Sequence, residues 1–147
     1  MKRLSMADVT AKPVVYREAT AVGRIRLRPE TVRLIREGGV EKGKPIGTAE
    51  VAAVLAAKST SSLIPLCHPI PITEVDVESR LLDDGVEVRA TVKAAAKTGV
   101  EMEALVAVST ALLTVWDMVK RYEKDEEGQY PTTIIQGVRV VKKLKAE

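Results

Sequence analysis

The sequence contains no asparagine, no phenylalanine, one cysteine, one histidine and one tryptophan. A lone Cys67 rules out an internal disulfide and fits a reducing compartment, so a cytoplasmic location is expected. Cys67 and His68 are neighbours, and one of each cannot complete a standard structural zinc site. Any metal role would have to lean on carboxylates. Aromatic residues make up only 3%, which leaves few platforms for stacking bases and argues against nucleic acid as a partner. No run of about 18 apolar residues is free of charge, so no membrane span is expected. The N-terminal MKRLSMADVTAK has cations but no apolar core, so no signal peptide is expected. The missing asparagines, with only two glutamines beside many Glu, Lys and Arg, lean towards a heat-adapted chain.

What is present is a chain of 147 residues, 46% hydrophobic, with a net charge of +3. That is enough apolar material for one compact core. The cations are scattered, which suits a small phosphorylated ligand better than a polyanion. Residues 1–12 show little periodicity and are expected to form a flexible arm, with residues 13–147 as a single domain. Val14–Leu27 ends in alternation and reads as a strand. Pro29 opens a short helix that Gly38-Gly39 ends. After the charged loop VEKGKP, a second helix is expected over Thr48–Ser62, with Val51, Val54 and Leu55 on one face. In LIPLCHPIPI, Pro65, Pro69 and Pro71 exclude a regular helix or a central strand. Thr73–Leu82 and Val86–Val92 read as strands joined by the hairpin turn Asp83-Asp84-Gly85. Thr132–Leu144 is the last strand, after the loop EKDEEGQY.

Lys97–Glu123 is the most informative stretch. Thr98 and Glu101 have the spacing of a capping box, and no Pro or Gly interrupts the run from there to Glu123. Met102, Leu105, Val106, Leu112, Leu113 and Trp116 recur at helical spacing and are expected to form the buried stripe. The order strand, helix, strand, strand, helix, strand specifies an α+β fold. It is that of a ferredoxin-like plait, a four-stranded antiparallel sheet with helices on one face, here with an extra short helix. Valine- and isoleucine-rich strands suggest that another subunit covers the second face. Glu103 and Asp117 are fourteen residues apart on the long helix, close in angle but about 21 Å apart along the axis. One small substrate could not easily touch both, so a site using both would join two copies of the chain.

Several residues carry chemistry of their own. Prolines on both sides hold Cys67 and His68 on rigid extended backbone. Successive side chains there point apart, so His68 is badly placed to activate Cys67 as a nucleophile. Lys97 beside a helix N-terminus is a plausible seat for phosphate. Glu101 is accounted for by the cap, whereas Glu103 is either an exposed first-turn acid or a site residue. Asp117 is a poor helix former in an apolar run. With Lys120 it is either an ordinary surface ion pair or a proton-transfer pair. Lys42 is a solvated charge or a mobile general acid.

Taken together, DVTAK (Asp8–Lys12), AAK (Ala56–Lys58), LIPLCHP (Leu63–Pro69), KTGVEMEAL (Lys97–Leu105) and DMVK with its following KD (Asp117–Lys120, Lys124-Asp125) resemble the cyclic pyranopterin monophosphate synthase (MoaC) family. The resemblance runs through nearly the whole chain in order and spacing. It implies the plait fold, a homohexamer built as a trimer of dimers, and active sites at the dimer interface. The implied activity is a lyase of molybdenum cofactor biosynthesis. It converts (8S)-3′,8-cyclo-7,8-dihydroguanosine 5′-triphosphate to cyclic pyranopterin monophosphate and releases pyrophosphate, with neither metal nor other cofactor. A radical S-adenosylmethionine GTP cyclase would supply that substrate.

By the same resemblance Asp117 is the acid/base, with Lys120 and Lys42 as catalytic lysines. Leu66, Cys67, His68, Met102, Glu103 and Glu101 line the substrate site. Arg17, Lys12, Lys58 and Lys97 are candidates for the triphosphate. The chain departs from the family pattern at Lys44-Pro45 and at Ala95-Ala96. If Lys42 and Asp117 came from different copies, mixing Lys42→Ala and Asp117→Asn subunits would restore activity. Two other readings stand beside the lyase: a non-catalytic plait that binds a nucleotide as a regulatory module, and an RNA-binding plait. The second would need aromatics on the central strands, which Thr73–Leu82 and Val86–Val92 lack.

Overall fold

A computed structural model describes residues 2–147. Eight elements follow one another: β1 (Val15–Arg26), α1 (Pro29–Arg36), α2 (Pro45–Lys58), α3 (Thr60–Leu63), β2 (Ile72–Leu82), β3 (Gly85–Ala96), α4 (Glu101–Glu123) and β4 (Ile134–Ala146). The four strands form one sheet in the order β2-β3-β1-β4, every neighbouring pair antiparallel. This is the plait expected from the order of elements, with two short helices added rather than one.

Strand register decides what each face presents. Val15, Arg17, Ala19, Ala21, Gly23 and Ile25 of β1 lie opposite Ala96, Ala94, Val92, Ala90, Val88 and Val86 of β3. All of these are turned towards the helices and buried, and Val75, Val77 and Leu81 of β2 extend the same face. The apolar residues on this face of β1, β2 and β3 are thus covered by the chain's own helices. The opposite face carries Glu74, Asp76, Glu87, Arg89, Lys93 and Arg24. It is laced by Arg24–Glu87 at 3.0 Å, Lys93–Glu74 at 3.3 Å and Lys142–Glu18 at 3.6 Å. The second side is therefore mixed, since Tyr16, Ile134 and Leu144 lie on it beside these charges and are 37%, 46% and 40% exposed.

The helix layer is built on alanine. On α4 the buried residues include Ala104, Ala107, Val108, Ala111, Leu112, Val115 and Val119. Of the expected stripe only Leu112 is fully buried, and Leu113 is 58% exposed. On α2 it is Ala49, Ala53, Ala56 and Ala57 that are buried, while Val51 and Leu55 face solvent. Small side chains let two helices and a sheet approach closely, so the alanines take the interior and the larger residues are turned aside. Helix α4 is long and apolar enough to cross a membrane by length and composition. Here one flank lies on the sheet and another against α2.

Several boundaries differ from the sequence reading: the helix expected over Thr48–Ser62 ends at Lys58, with Thr60–Leu63 a separate helix, and the last strand is Ile134–Ala146 rather than Thr132–Leu144. Helix α2 begins at Pro45, because proline's fixed φ suits the first helical position. The Lys44-Pro45 departure is thus a helix start. Strand β3 continues to Ala96, so Ala95-Ala96 end a strand. Helix α4 begins at Glu101, three residues after Thr98, with Val100 at the N-cap and no side-chain cap. The capping box does not form, because Glu101 is itself the first helical residue and lies outside the reach of a reciprocal bond.

Candidate active site

The site residues fall into two groups, one at each end of α4. At the C-terminal end, Asp117 lies between two lysines. Lys120 Nζ is 3.1 Å from Oδ1, and Lys42 Nζ is 3.4 Å from Oδ2 while donating to the Asp117 carbonyl at 3.1 Å. The Lys120 contact is the local i,i+3 pair of a helix. The Lys42 contact spans 75 positions and depends on the loop before α2. Gly43 turns that loop at φ +125°, over Met118. Tyr122 Oη accepts from the Glu41 backbone N–H at 2.9 Å, and Arg121 pairs with the Glu41 carboxylate. Hydrogen bonds from Lys120 and then Lys42 hold the Asp117 carboxyl below the usual carboxylate range. Lys42 and Asp117 meet within one chain, so subunits altered at these two positions are not expected to complement each other.

At the N-terminal end lie Cys67, Glu101 and Glu103. Glu103 is 2% exposed, and its Oε1 and that of Glu101 are buried without a hydrogen-bond partner among the described residues. Burial pushes the Glu103 carboxyl up, and the Glu101 charge adds to it. The Cys67 thiol is raised by burial and then by both glutamates. It therefore remains a thiol near neutrality, the opposite of what a nucleophilic cysteine needs. Glu101 Oε2 pairs with Lys143 of β4 at 3.3 Å. The neighbouring Leu66 and Met102 are 41% and 37% exposed.

The expected triphosphate ligands are spread around this end. Arg17 is buried under the turn that follows β3, where Nε and a terminal nitrogen donate to the carbonyls of Ala96 and Lys97 at 3.3 and 3.0 Å. Lys97 donates to the Thr10 carbonyl at 3.1 Å, and the Ala7 carbonyl lies 2.8 Å from His68 Nε2. A cavity of about 310 Å³ is lined by His68, Lys97, Val9, Val14 and Thr98, among others. Lys12 lies exposed in the turn after Thr10, and Lys58 exposed on the last turn of α2. Since α2 starts beside Met118 and the chain after it passes Glu103, the Lys58 end of α2 lies towards the N-terminal end of α4. Among the described residues no three His, Cys, Asp or Glu side chains converge as metal ligands.

The two groups are separated by most of a 23-residue helix. Asp117 follows Glu103 by fourteen residues, about 21 Å of rise. The chain does not bring Lys42, Asp117 and Lys120 to Cys67, His68 and Glu103. Within one chain the two groups stay apart.

This constellation has relatives. A sequence profile described as the MoaC family matches residues 6–146. The chain belongs to the MoaC family. It is 62% identical over 145 residues to a probable cyclic pyranopterin monophosphate synthase of Aeropyrum pernix, covering 99% of both chains. It is 58% identical over 144 residues to a protein of the same description from Pyrococcus abyssi, covering 98% of this chain and 91% of the relative. A Methanothermobacter thermautotrophicus relative, 57% identical over 146 residues with 99% and 92% covered, is named a probable cyclic pyranopterin monophosphate synthase accessory protein. This MoaC family chain thus holds the two groups of polar residues at opposite ends of one helix.

Sequence reasoning passed over one buried carboxylate. Glu123 is fully buried and accepts from Thr133 Oγ1 at 2.6 Å, from the Arg28 N–H at 3.1 Å and from Thr31 Oγ1. A signal was available: an acid in the last turn of a helix opposes the macrodipole, so donors had to be waiting for it.

Proposed function

We propose that the chain catalyses the lyase reaction of its family, rearranging the cyclised GTP derivative to cyclic pyranopterin monophosphate in molybdenum cofactor biosynthesis. The observation that carries this reading is the Lys42–Asp117–Lys120 triad. Its side chains are between 43% and 61% exposed, and exposed ion pairs contribute little to folding. These pairs therefore add little stability of their own, and the loop that brings Lys42 to Asp117 is held instead by buried Val40 and by Glu41's contacts with Tyr122 and Arg121. A carboxylate held ionised between two ammonium groups can take a proton from the substrate and return one from a lysine. Closing the cyclic phosphate joins a sugar hydroxyl oxygen to the α-phosphorus and breaks the bond to pyrophosphate. The hydroxyl proton passes to a base, and cations offset the charge on the leaving group. A merely regulatory nucleotide-binding plait needs no such proton-transfer pair.

At the other end of α4, the orphan oxygens of Glu101 and Glu103 suit the ring N–H donors of a guanine-derived substrate. Cys67, His68, Leu66 and Met102 would line that part, and Lys97, Lys58 and Lys12 the phosphates. Arg17 would act through the carbonyls it braces. Because the two ends are about 21 Å apart, a complete site needs the Asp117 end of one copy beside the Glu103 end of another. A homo-oligomer follows, and the family's trimer of dimers is the arrangement proposed. A radical S-adenosylmethionine GTP cyclase is the proposed source of substrate, and the cytoplasm the proposed location.

The test is to incubate the purified protein with the cyclised GTP derivative and to follow pyrophosphate and cyclic pyranopterin monophosphate. Asp117→Asn is expected to lower turnover by about a hundredfold or more with an unchanged melting temperature. Absence of product from the wild type rejects the function, and full turnover by the variant rejects Asp117's role. The lowered Asp117 pKa means that the carboxylate stays ionised in mild acid. An acid limb owed to it should therefore lie below the ordinary carboxylate range, and an Asp117-dependent limb near neutrality would contradict this assignment.

A further inference from the structure

The segment before β1 crosses to the N-terminal end of α4 and touches two site residues far from it in sequence. The Ala7 carbonyl meets His68 Nε2 at 2.8 Å, and the Thr10 carbonyl accepts from Lys97 Nζ at 3.1 Å. These contacts span 61 and 87 positions. A carbonyl can only accept, so Nε2 must carry the hydrogen. In the neutral imidazole Nδ1 is then the unprotonated nitrogen, the only one able to take up a proton. A tight turn aims both carbonyls. Asp8 Oδ1 accepts from the Thr10 N–H at 2.9 Å and from Thr10 Oγ1 at 2.6 Å, and the Lys12 N–H donates to the Val9 carbonyl at 3.0 Å. Val9 itself walls the cavity that His68 and Lys97 line.

We propose that the strap Ala7–Thr10 is a positioning element of the candidate site, with Asp8 as its positioning residue. It fixes the tautomer and orientation of His68 and holds Lys97 at the cavity rim. The inference rests on His68 and Lys97 belonging to the site proposed above. A proton acceptor in a defined place is worth more to an enzyme than a rotating one, because proton transfer needs heavy atoms within hydrogen-bond reach.

His68 is the only histidine, so its ring nitrogens can be read by nitrogen-15 NMR in the full-length labelled protein without ambiguity. With the ring neutral, the wild type should show Nδ1 fully unprotonated and an observable Nε2–H proton. Asp8→Ala opens the turn. It should lose that proton signal, move both nitrogens towards mixed tautomers, and lower kcat for the cyclised GTP about tenfold with a smaller change in KM. Asp8→Asn keeps an accepting side-chain oxygen and should restore both readings. Identical ring signals in the wild type and Asp8→Ala overturn the proposal, as does a wild type protonated at Nδ1. The spectra need no substrate, which separates the two readings. A locked imidazole without turnover upholds the strap and overturns the function, whereas turnover with an unlocked imidazole does the reverse.

Discussion

Around the last turn of α4 the backbone carbonyls repel an anion, and Glu123 is nevertheless buried there among donors from Arg28, Thr31 and Thr133. It joins the start of α1, the end of α4 and the approach to β4. Glu123→Ala leaves those donors unpaired, and the expected loss is about 2–4 kcal/mol, measured by denaturant unfolding. Glu103 is buried for a different reason, since its Oε1 finds no partner among the described residues. Its raised pKa gives a definite sign. A carboxyl whose folded pKa lies above its unfolded value favours folding when protonated, and stability falls as pH rises from the unfolded value through the folded one. Glu103→Gln cannot ionise, so that fall should vanish from the variant's pH–stability curve. An unchanged slope would show that Glu103 titrates as an ordinary glutamate. The sequence held only a hint of Glu123, an acid in the last turn of a helix, and left Glu103 open between an exposed first-turn acid and a site residue. Only contacts with distant chain segments decide such cases.

At the scale of elements, the contact of α4 with the sheet turns on Gly23. A Cβ there would lie 2.9 Å from Val138 Cγ2 and 3.0 Å from both Leu112 Cδ1 and Val108 Cγ1. Gly23→Ala therefore forces α4 and β4 away from β1. It should cost about 1–3 kcal/mol, read as a lower melting temperature, and a variant as stable as the wild type would mean that the helix has room to shift. The elements themselves were largely visible beforehand. Alternation, Pro29 at the start of α1 and the Asp-Asp-Gly turn mark them directly, because these signals are local. The faces were not visible. Apolar periodicity pointed to Leu113 and Met102 on α4 and to Val51 and Leu55 on α2, whereas close packing took the alanines. The capping box failed for a similar reason, since the turn that carries Lys97 over Arg17 delays the helix until Glu101.

For the whole molecule the question is what completes the site. Lys42, Asp117 and Lys120 form one end within a single chain, while His68, Cys67 and Glu103 occupy the other. Complementation should therefore pair one inactive variant from each end. Mixed and reassembled His68→Ala and Asp117→Asn subunits should recover up to about a quarter of wild-type activity, the share of sites that receive two intact halves at random. Mixed Lys42→Ala and Asp117→Asn subunits should recover none, because both variants spoil the same half. Recovery in the second mixture and not in the first would overturn the division of the site.

The sequence by itself determined the order of elements, the plait and the family, because these rest on periodicity, turn chemistry and motifs that are read locally along the chain. It also set the fourteen-residue separation of Glu103 and Asp117, and with it their distance along the helix, since helix rise is fixed by backbone geometry. Only the tertiary structure decided that Lys42 joins Asp117 in the same chain, that Arg17 is committed to backbone carbonyls, and that the strap rests on His68 and Lys97. Each of these depends on where segments 61 to 87 positions apart come to lie, and packing settles that.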